Sequence, residues 1–291
     1  MRTIRTIAEL RSHVRAQRHA GRSIGLVPTM GAFHAGHESL IRAARAQTGE
    51  VIVSLFVNPA QFNDPRDLAV YPRDEHRDAA IAERLGADIL FAPPPEEVYP
   101  TGFSATVSVP GLSDVLEGAQ RGPGHFAGVC TVVAKLFNMV EPDVAYFGQK
   151  DGQQVAIIKR MARDLDFPVR IEVLPTVREP DGLAMSSRNV RLSPEERLRA
   201  AGLSAALRAA AAAIDDDPLA AASAALGEHG ITPEYLAMVD PESFQEPGPL
   251  IVVAATVGDI RLIDNVLIER AATPERRGAD PKGAVSVLPT P

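Results

Sequence analysis

The sequence predicts an α/β protein: a Rossmann-like parallel sheet with helices on both faces, plus a smaller C-terminal α+β domain. Three observations predict it. Short apolar runs alternate with stretches of helical spacing through residues 24–174, and strand–helix alternation implies right-handed βαβ units in a mostly parallel sheet. The first run, residues 24–27, is continuously apolar, as in a strand covered on both faces. The texture then changes near residue 175, where a polar loop rich in special residues leads to an Ala-rich helix and further strand-like runs.

The elements follow in order. After the strand at 24–27, residues 38–47 read as a helix, with Leu40, Ile41 and Ala44 at helical spacing. Residues 51–57 form a second apolar strand, 74–85 a helix ended by Gly86, and 89–91 a short strand. Residues 127–140 are a strongly apolar helix. Strands at 144–146 and 170–174 flank a helix at 151–165. Ser193-Pro194-Glu195-Glu196 is a helix start, with Ser as cap, Pro at the first helical position and Glu at the third; that helix runs to Ile214. Asp215-Asp216-Asp217-Pro218 breaks it and reads as a turn with solvated acids rather than a metal site. A helix at 219–228 and strands at 235–239, 250–255 and 261–264 complete the chain. The expected division is a Rossmann-like domain over residues 1–176, a small α+β lid domain over 177–270, and a disordered tail over 271–291.

The chain's 291 residues suffice for a substantial core. With 45% hydrophobic and 23% charged residues it has a globular composition. A net charge of −7 argues against nucleic acid as the main partner, though not against local basic pockets. No apolar run is long enough for a membrane span, and the first residues lack the apolar core of a signal peptide. A cytoplasmic enzyme fits these features. The lone Cys130 reads as a small buried packing residue. Of the 30 Lys plus Arg, only Lys135, Lys150, Lys159 and Lys282 are lysine. A retained lysine is therefore informative, because its compact ammonium differs chemically from a planar guanidinium.

The most telling stretch is Val27-Pro28-Thr29-Met30-Gly31-Ala32-Phe33-His34-Ala35-Gly36-His37, where the first strand hands over to a helix. Unpaired N–H groups and the helix dipole at such a junction favour an anion. Gly31 and Gly36 lack a Cβ, so the backbone could approach a triphosphate closely. His34 and His37 could donate to phosphoryl oxygens whose charge rises as a P–O bond breaks. A metal pair is disfavoured, since no third ligand lies nearby at zinc-site spacing.

Four more blocks carry candidate chemistry. In Asn58-Pro59-Ala60-Gln61 the strand must end, and Gln61 is either a plain turn amide or a group able to donate and accept together toward a substrate. Leu116 to Phe126 reads as a Gly- and Pro-rich loop in which Arg121 and His125 either meet an anion or cap and pair at the surface. Phe147-Gly148-Gln149-Lys150-Asp151-Gly152-Gln153-Gln154 follows a strand and opens a helix. Lys150 there is a point charge suited to phosphate, Asp151 a candidate cap, and Gln154 lies one helical turn on. Met185-Ser186-Ser187-Arg188 gathers hydroxyls beside a guanidinium, a weak signal by itself.

His34-Ala35-Gly36-His37 resembles the signature of the nucleotidylyltransferase superfamily. The longer string from Pro28 to His37 resembles the pantothenate synthetase (pantoate–β-alanine ligase) family, and the blocks around Gln61, Lys150 and Ser186 resemble that family in the same order, over residues 24–265. Arg261-Leu262-Ile263-Asp264-Asn265 also matches and reads as an edge strand and turn docking the small domain. The chain departs from the family pattern at Gly122, inserted between Arg121 and Pro123, and at Gly152, where a larger side chain is expected. The resemblance implies ATP-driven condensation of (R)-pantoate with β-alanine through pantoyl adenylate, with Mg²⁺ carried on the ATP phosphates and no dedicated protein metal ligands. It implies catalytic roles for His34, His37 and Lys150. It implies ATP binding by Met30, Gly31, Ala32, Phe33, His34, Ala35, Gly36, His37, Gly148, Gln149, Lys150, Asp151, Val177, Met185, Ser186, Ser187 and Arg188, and pantoate and β-alanine binding by Pro28, Met30, Gln61 and Gln154. Residues 1–176 would then bind nucleotide and pantoate and form a homodimer, and the C-terminal domain would be free to move about the linker near Pro175 to Asp181, bringing the mobile loop of Ser186, Ser187 and Arg188 over the phosphates toward His34 and Lys150. The competing reading is a nucleotidylyltransferase acting on a phosphorylated small molecule.

Overall fold

The computed structural model describes residues 1–63, 65–122 and 124–268; the expected tail lies outside them. In chain order the strands are β1 (Arg2–Ile4), β2 (Ile24–Thr29), β3 (Glu50–Leu55), β4 (Ile89–Phe91), β5 (Val144–Gly148), β6 (Arg170–Leu174), β7 (Tyr235–Val239), β8 (Leu250–Val257) and β9 (Ile260–Leu267). The helices are α1 (Ile7–His19), α2 (Ala35–Gln47), α3 (Pro65–Val70), α4 (Glu75–Arg84), α5 (Pro95–Val98), α6 (Glu117–Arg121), α7 (Gly124–Val140), α8 (Gly152–Asp164), α9 (Pro194–Ala212) and α10 (Pro218–Glu228).

β1 to β6 form one six-stranded parallel sheet in the order β1-β4-β3-β2-β5-β6. Successive strand residues point to opposite faces, and the two faces build separate cores. Ile24, Leu26, Ile52, Ile89, Phe91, Ala145 and Phe147 pack on one side with α1, α7 and α8. Val27, Val51, Val53, Leu90, Val144 and Tyr146 pack on the other with α2 and α4. This two-sided burial is why the strands read as unbroken apolar runs. From β2 the chain moves toward β3 and β4, whereas from β5 it moves toward β6. The crevice between β2 and β5 is thus a topological switch point, where ligands of open α/β sheets bind beyond the carboxyl ends of the strands.

β7, β8 and β9 form an antiparallel sheet with β8 central. Ile251, Val253 and Ala255 face α9 and α10. Leu250 and Val252, with Ala237, Val239 and Phe244, enter the large core of the parallel-sheet unit instead. The small sheet is therefore packed on both faces. Charge adds to the join: buried Glu117 on α6 accepts from Arg261 of β9 at 2.6 Å, and Arg261 also pairs with Glu234 at 2.6 Å.

Several boundaries differ from expectation for physical reasons. β1 and α1 precede the first expected element; Thr6 caps α1 by accepting from the N–H of Glu9, a Thr-x-x-Glu start signal that the polar surroundings obscure. α2 begins at Ala35, a turn earlier than expected, because a histidine rather than Ser, Thr, Asp or Asn supplies the cap. The 116–126 segment is not all loop: Glu117 and Arg121 pair at 2.8 Å across one helical turn to form α6. Asp151 makes no capping bond to α8; its carboxylate sits 3.4 Å from the Lys150 ammonium. β9 runs straight through Asp264 and Asn265, in place of the expected turn. The Ser193–Glu196 capping box and the buried Cys130 are as expected.

Candidate active site

At the switch point lies a cavity of about 240 Å³. Its apolar floor comes from Val129, Val132, Val133 and Leu136 of α7 and Phe56 after β3; its polar wall comes from the loops after β2, β5 and β6. Of the candidates, Pro28, Met30, His34, Gly36, His37, Gln61, Gly148, Lys150, Asp151, Gln154, Val177, Met185, Ser186, Ser187 and Arg188 all line it. The chain brings them from five separate segments to one volume.

Gly31, Ala32, Phe33, Ala35 and Gln149 do not line it, and the backbone donors of Ala32 and Phe33 are engaged within the protein. The amide N–H groups of Ala32 and Phe33 donate to the buried carboxylate of Asp78, at 2.7 and 2.8 Å. Burial pushes the Asp78 carboxyl up, while those two bonds and Arg77 pull it back. Gly31 is favoured by its φ of +92°, which L side chains rarely adopt. Phe33 is buried in the core beneath α2. Gln149 turns away and donates to Asn265 Oδ1 at 3.0 Å.

The glycine of the histidine motif also makes room for a side chain. A Cβ on Gly36 would lie 2.9 Å from Nδ1 of His34. Its absence lets that ring fold back and accept from the Gly36 N–H at 3.1 Å, so His34 caps α2. His37 Nδ1 in turn accepts from the His34 N–H at 3.4 Å, and the two rings sit 4.2 Å apart. Burial, then the Lys150 charge, lowers His34 to about 4. Burial, then His34 and Lys150, lowers His37 to about 3. Both rings are therefore neutral near pH 7. With Nδ1 used as acceptor, each carries its proton on Nε2 and offers a neutral N–H donor rather than a positive charge.

Lys150 supplies the compact cation, from the short 3₁₀ turn Gln149–Asp151 that follows β5. Opposite it, Ser186 caps a second 3₁₀ turn, Ser187–Arg191, by accepting from the Arg188 N–H at 3.3 Å. Asn189 pins this turn from beneath by donating to Glu179 at 2.7 Å and to the Ala184 carbonyl at 3.0 Å. At the apolar end, Gln61 is oriented rather than loose: Asn58 donates to its Oε1 at 3.0 Å and its Nε2 approaches Met30 Sδ at 3.0 Å. His125 Nδ1 lies 2.9 Å from the Gln61 carbonyl, and Arg121 is engaged by Glu117.

Sequence reasoning missed Asp78, Tyr71, Asn58 and Ser54. Tyr71 lines the cavity and bonds Ser187; burial raises its hydroxyl while Ser187 and Arg188 pull against that. No motif marks it, because it precedes Pro72 outside any regular element. Ser54 and Thr176 place buried hydroxyls on the cavity wall, and neither has a partner among the described residues. Asn58 could have been found: Asn-Pro after a strand is a turn signal whose amide caps the turn, as it does here.

The family model described as pantoate-beta-alanine ligase matches residues 2–267. A pantothenate synthetase of Cereibacter sphaeroides is 52% identical over 275 residues, covering 90% of this chain and 98% of that protein. The crystal structure of pantothenate synthetase from Thermus thermophilus superposes with a TM-score of 0.87 at 46% identity, over 92% of this chain and 99% of that one. The pantoate-beta-alanine ligase from Francisella tularensis, solved in complex with beta-gamma ATP and beta-alanine, gives a TM-score of 0.79 at 37% identity, over 92% and 97%. With a family model matched over nearly the whole chain, relatives about 50% identical at near-complete coverage and the same fold, the chain belongs to the pantoate–β-alanine ligase family.

Proposed function

We propose that this protein condenses (R)-pantoate with β-alanine, converting ATP to AMP and pyrophosphate by way of pantoyl adenylate. One observation carries the reading: a single cavity joins an anion-directed donor set (His34, His37, Lys150, Ser186, Ser187, Arg188) to an amide-and-apolar set (Met30, Gln61, Gln154, Val133). The first set suits a triphosphate and the second a small hydroxy acid. A pantoate carboxylate oxygen attacks the α-phosphorus, and the bond to pyrophosphate breaks. The β-alanine amine then attacks the acyl carbonyl, loses its proton, and AMP leaves with the C–O bond electrons. No protein nucleophile is needed, because the carboxylate is itself the nucleophile; positioning and charge stabilisation suffice. Cys130 fits this economy, its thiol buried and pushed up to about 12. Lys150 and Arg188 would neutralise the departing pyrophosphate, and the Nε2–H groups of His34 and His37 would donate to it. Mg²⁺ would ride on the phosphate oxygens; among the described residues no group of three or more His, Cys, Asp or Glu is placed to hold a metal.

With ATP, Mg²⁺ and pantoate alone, pyrophosphate should appear; AMP should appear only after β-alanine is added. AMP transfer to a phosphorylated alcohol, with none to pantoate, would overturn this reading in favour of a nucleotidylyltransferase.

We further propose that the protein works in the cytoplasm as a homodimer formed through residues 1–176, and that closure over ATP is carried by residues 183–190. No helix among the described residues is long and apolar enough to cross a membrane. The shared core holds the two sheets together, so the loop bearing Ser186, Ser187 and Arg188 is the part left to close. ATP and Mg²⁺ should slow amide exchange in residues 183–190 and around His34. Exchange unchanged at saturating nucleotide would remove the lid, and a monomeric mass by light scattering would remove the dimer.

A further inference from the structure

Asp264 and Asn265 are adjacent in β9 and almost wholly buried, at 3% and 5% exposure. Neighbouring strand residues point to opposite sides, and here each side leads to a different half of the phosphate-directed wall. The Asn265 Nδ2 donates to the carbonyls of Gln149 and Lys150, both at 2.9 Å, and its Oδ1 accepts from Gln149 Nε2 at 3.0 Å. Both functions of that amide are spent on the turn carrying Lys150. Gly152 makes room for it: a Cβ there would lie 3.2 Å from Asn265 Nδ2, so the family departure at this position falls where Asn265 packs.

Asp264 receives the Arg178 guanidinium as a fork, at 2.6 and 3.1 Å. The same guanidinium donates to the Gly182 carbonyl at 3.1 Å. It thereby braces a hairpin closed by the Met185 N–H on the Val177 carbonyl at 2.9 Å, which runs directly into Ser186. Asp264 Oδ1 also accepts the Asn265 N–H at 2.8 Å, so the two anchors share one backbone unit. Docking alone does not require this pair, since Arg261 on the same strand already ties the sheet to Glu117 and the apolar face already joins the large core.

We propose that Asn265 is a positioning residue for Lys150 and that Asp264, acting through Arg178, is one for the Ser186–Arg188 loop. One strand of the C-terminal sheet thus sets the spacing between the two cationic sides of the site. This rests on the assignment of ATP to the cavity. Neither residue lines that cavity, so each acts through the groups it holds.

The test is Asn265→Ala, with Asn265→Ser as a milder variant retaining one donor and Asp264→Asn as a probe of the fork. Pyrophosphate release with pantoate and ATP should fall about 10–100-fold in Asn265→Ala, the scale expected when a charged group shifts by about an ångström. ATP affinity by calorimetry should weaken about 3–10-fold, since the contact matters most where charge develops. Pantoate affinity should stay within about twofold, because Met30 and Gln61 are held from other elements. Asn265→Ser should recover part of the loss. Asp264→Asn should weaken ATP more than pantoate. Equal loss for both ligands, or ATP binding and turnover within about twofold of the parent in a folded Asn265→Ala or Asn265→Ser, would overturn the proposal. A parent that binds ATP but makes no pantothenate would overturn the proposed reaction, while the ATP affinities would still decide the positioning role. A parent that binds no ATP would overturn both.

Discussion

Lys150→Ala and His37→Ala are each expected to lower turnover about 10²–10³-fold, the scale for one lost electrostatic stabiliser, with the protein still folded. Lys150 is a cavity-wall cation whose neighbour, the Asp151 carboxylate, is 47% exposed, so removing the ammonium strands no buried charge. His37 contributes one long hydrogen bond to the α2 cap, a small loss beside the rest of the helix. Turnover within threefold of the parent in either variant would refute that residue's role. The histidines also set a pH dependence. Their folded values, about 4 and 3, lie below the ordinary 6.5. Between pH 6.5 and about 4 the unfolded chain binds protons that the folded chain does not. Their contribution is thus fully present above pH 6.5 and declines as pH falls, by up to about 1.4 kcal/mol per unit for each ring. Urea unfolding at pH 7.5 and 5 should show that decline, and it should be shallower in a His34→Gln/His37→Gln double variant. An equal slope would mean the rings are not buried neutral.

Asp78→Ala should cost stability and activity together. The carboxylate is 1% exposed and accepts from two backbone donors in a loop where Ala32 is held at φ +53°. Deleting it leaves two N–H groups without a partner, at about 1–3 kcal/mol each, or about 2–6 kcal/mol together. The freed loop lets His34 and His37 drift, so turnover should fall by about 10²-fold as geometry is lost. Asp78→Asn keeps one acceptor and should be intermediate on both counts. Urea unfolding and pyrophosphate release measured on the same preparations decide it. A large stability loss with parental turnover would show that the histidines are positioned without Asp78.

Much of the fold was legible because its signals are local. The Ser193-Pro194-Glu195-Glu196 cap, the Gly86 stop and the apolar runs of β2, β3 and β5 each depend on a few neighbouring residues, and all are present, the strands ending within two residues of the bounds read. β1 was not legible: a three-residue strand with one buried side chain has no period to detect and exists because β4 offers it an edge. In the site, the motifs named the right loops but not what each atom does. Gly36 serves the fold-back of the His34 ring, and the Ala32 and Phe33 amides serve a carboxylate more than forty positions away.

By itself, then, the sequence determined the class of the fold, its family and the five segments that meet at the cavity, since periodicity, caps and motif spacing are properties of contiguous residues. Only the tertiary structure decided which donors are free, which histidine nitrogen carries its proton, that Tyr71 reaches Ser187, and that Asp264 and Asn265 brace both sides of the cavity. Those outcomes depend on hydrogen-bond partnership and desolvation between groups distant in the chain, and neither exists until β2 and β5 lie side by side and β9 is packed against them.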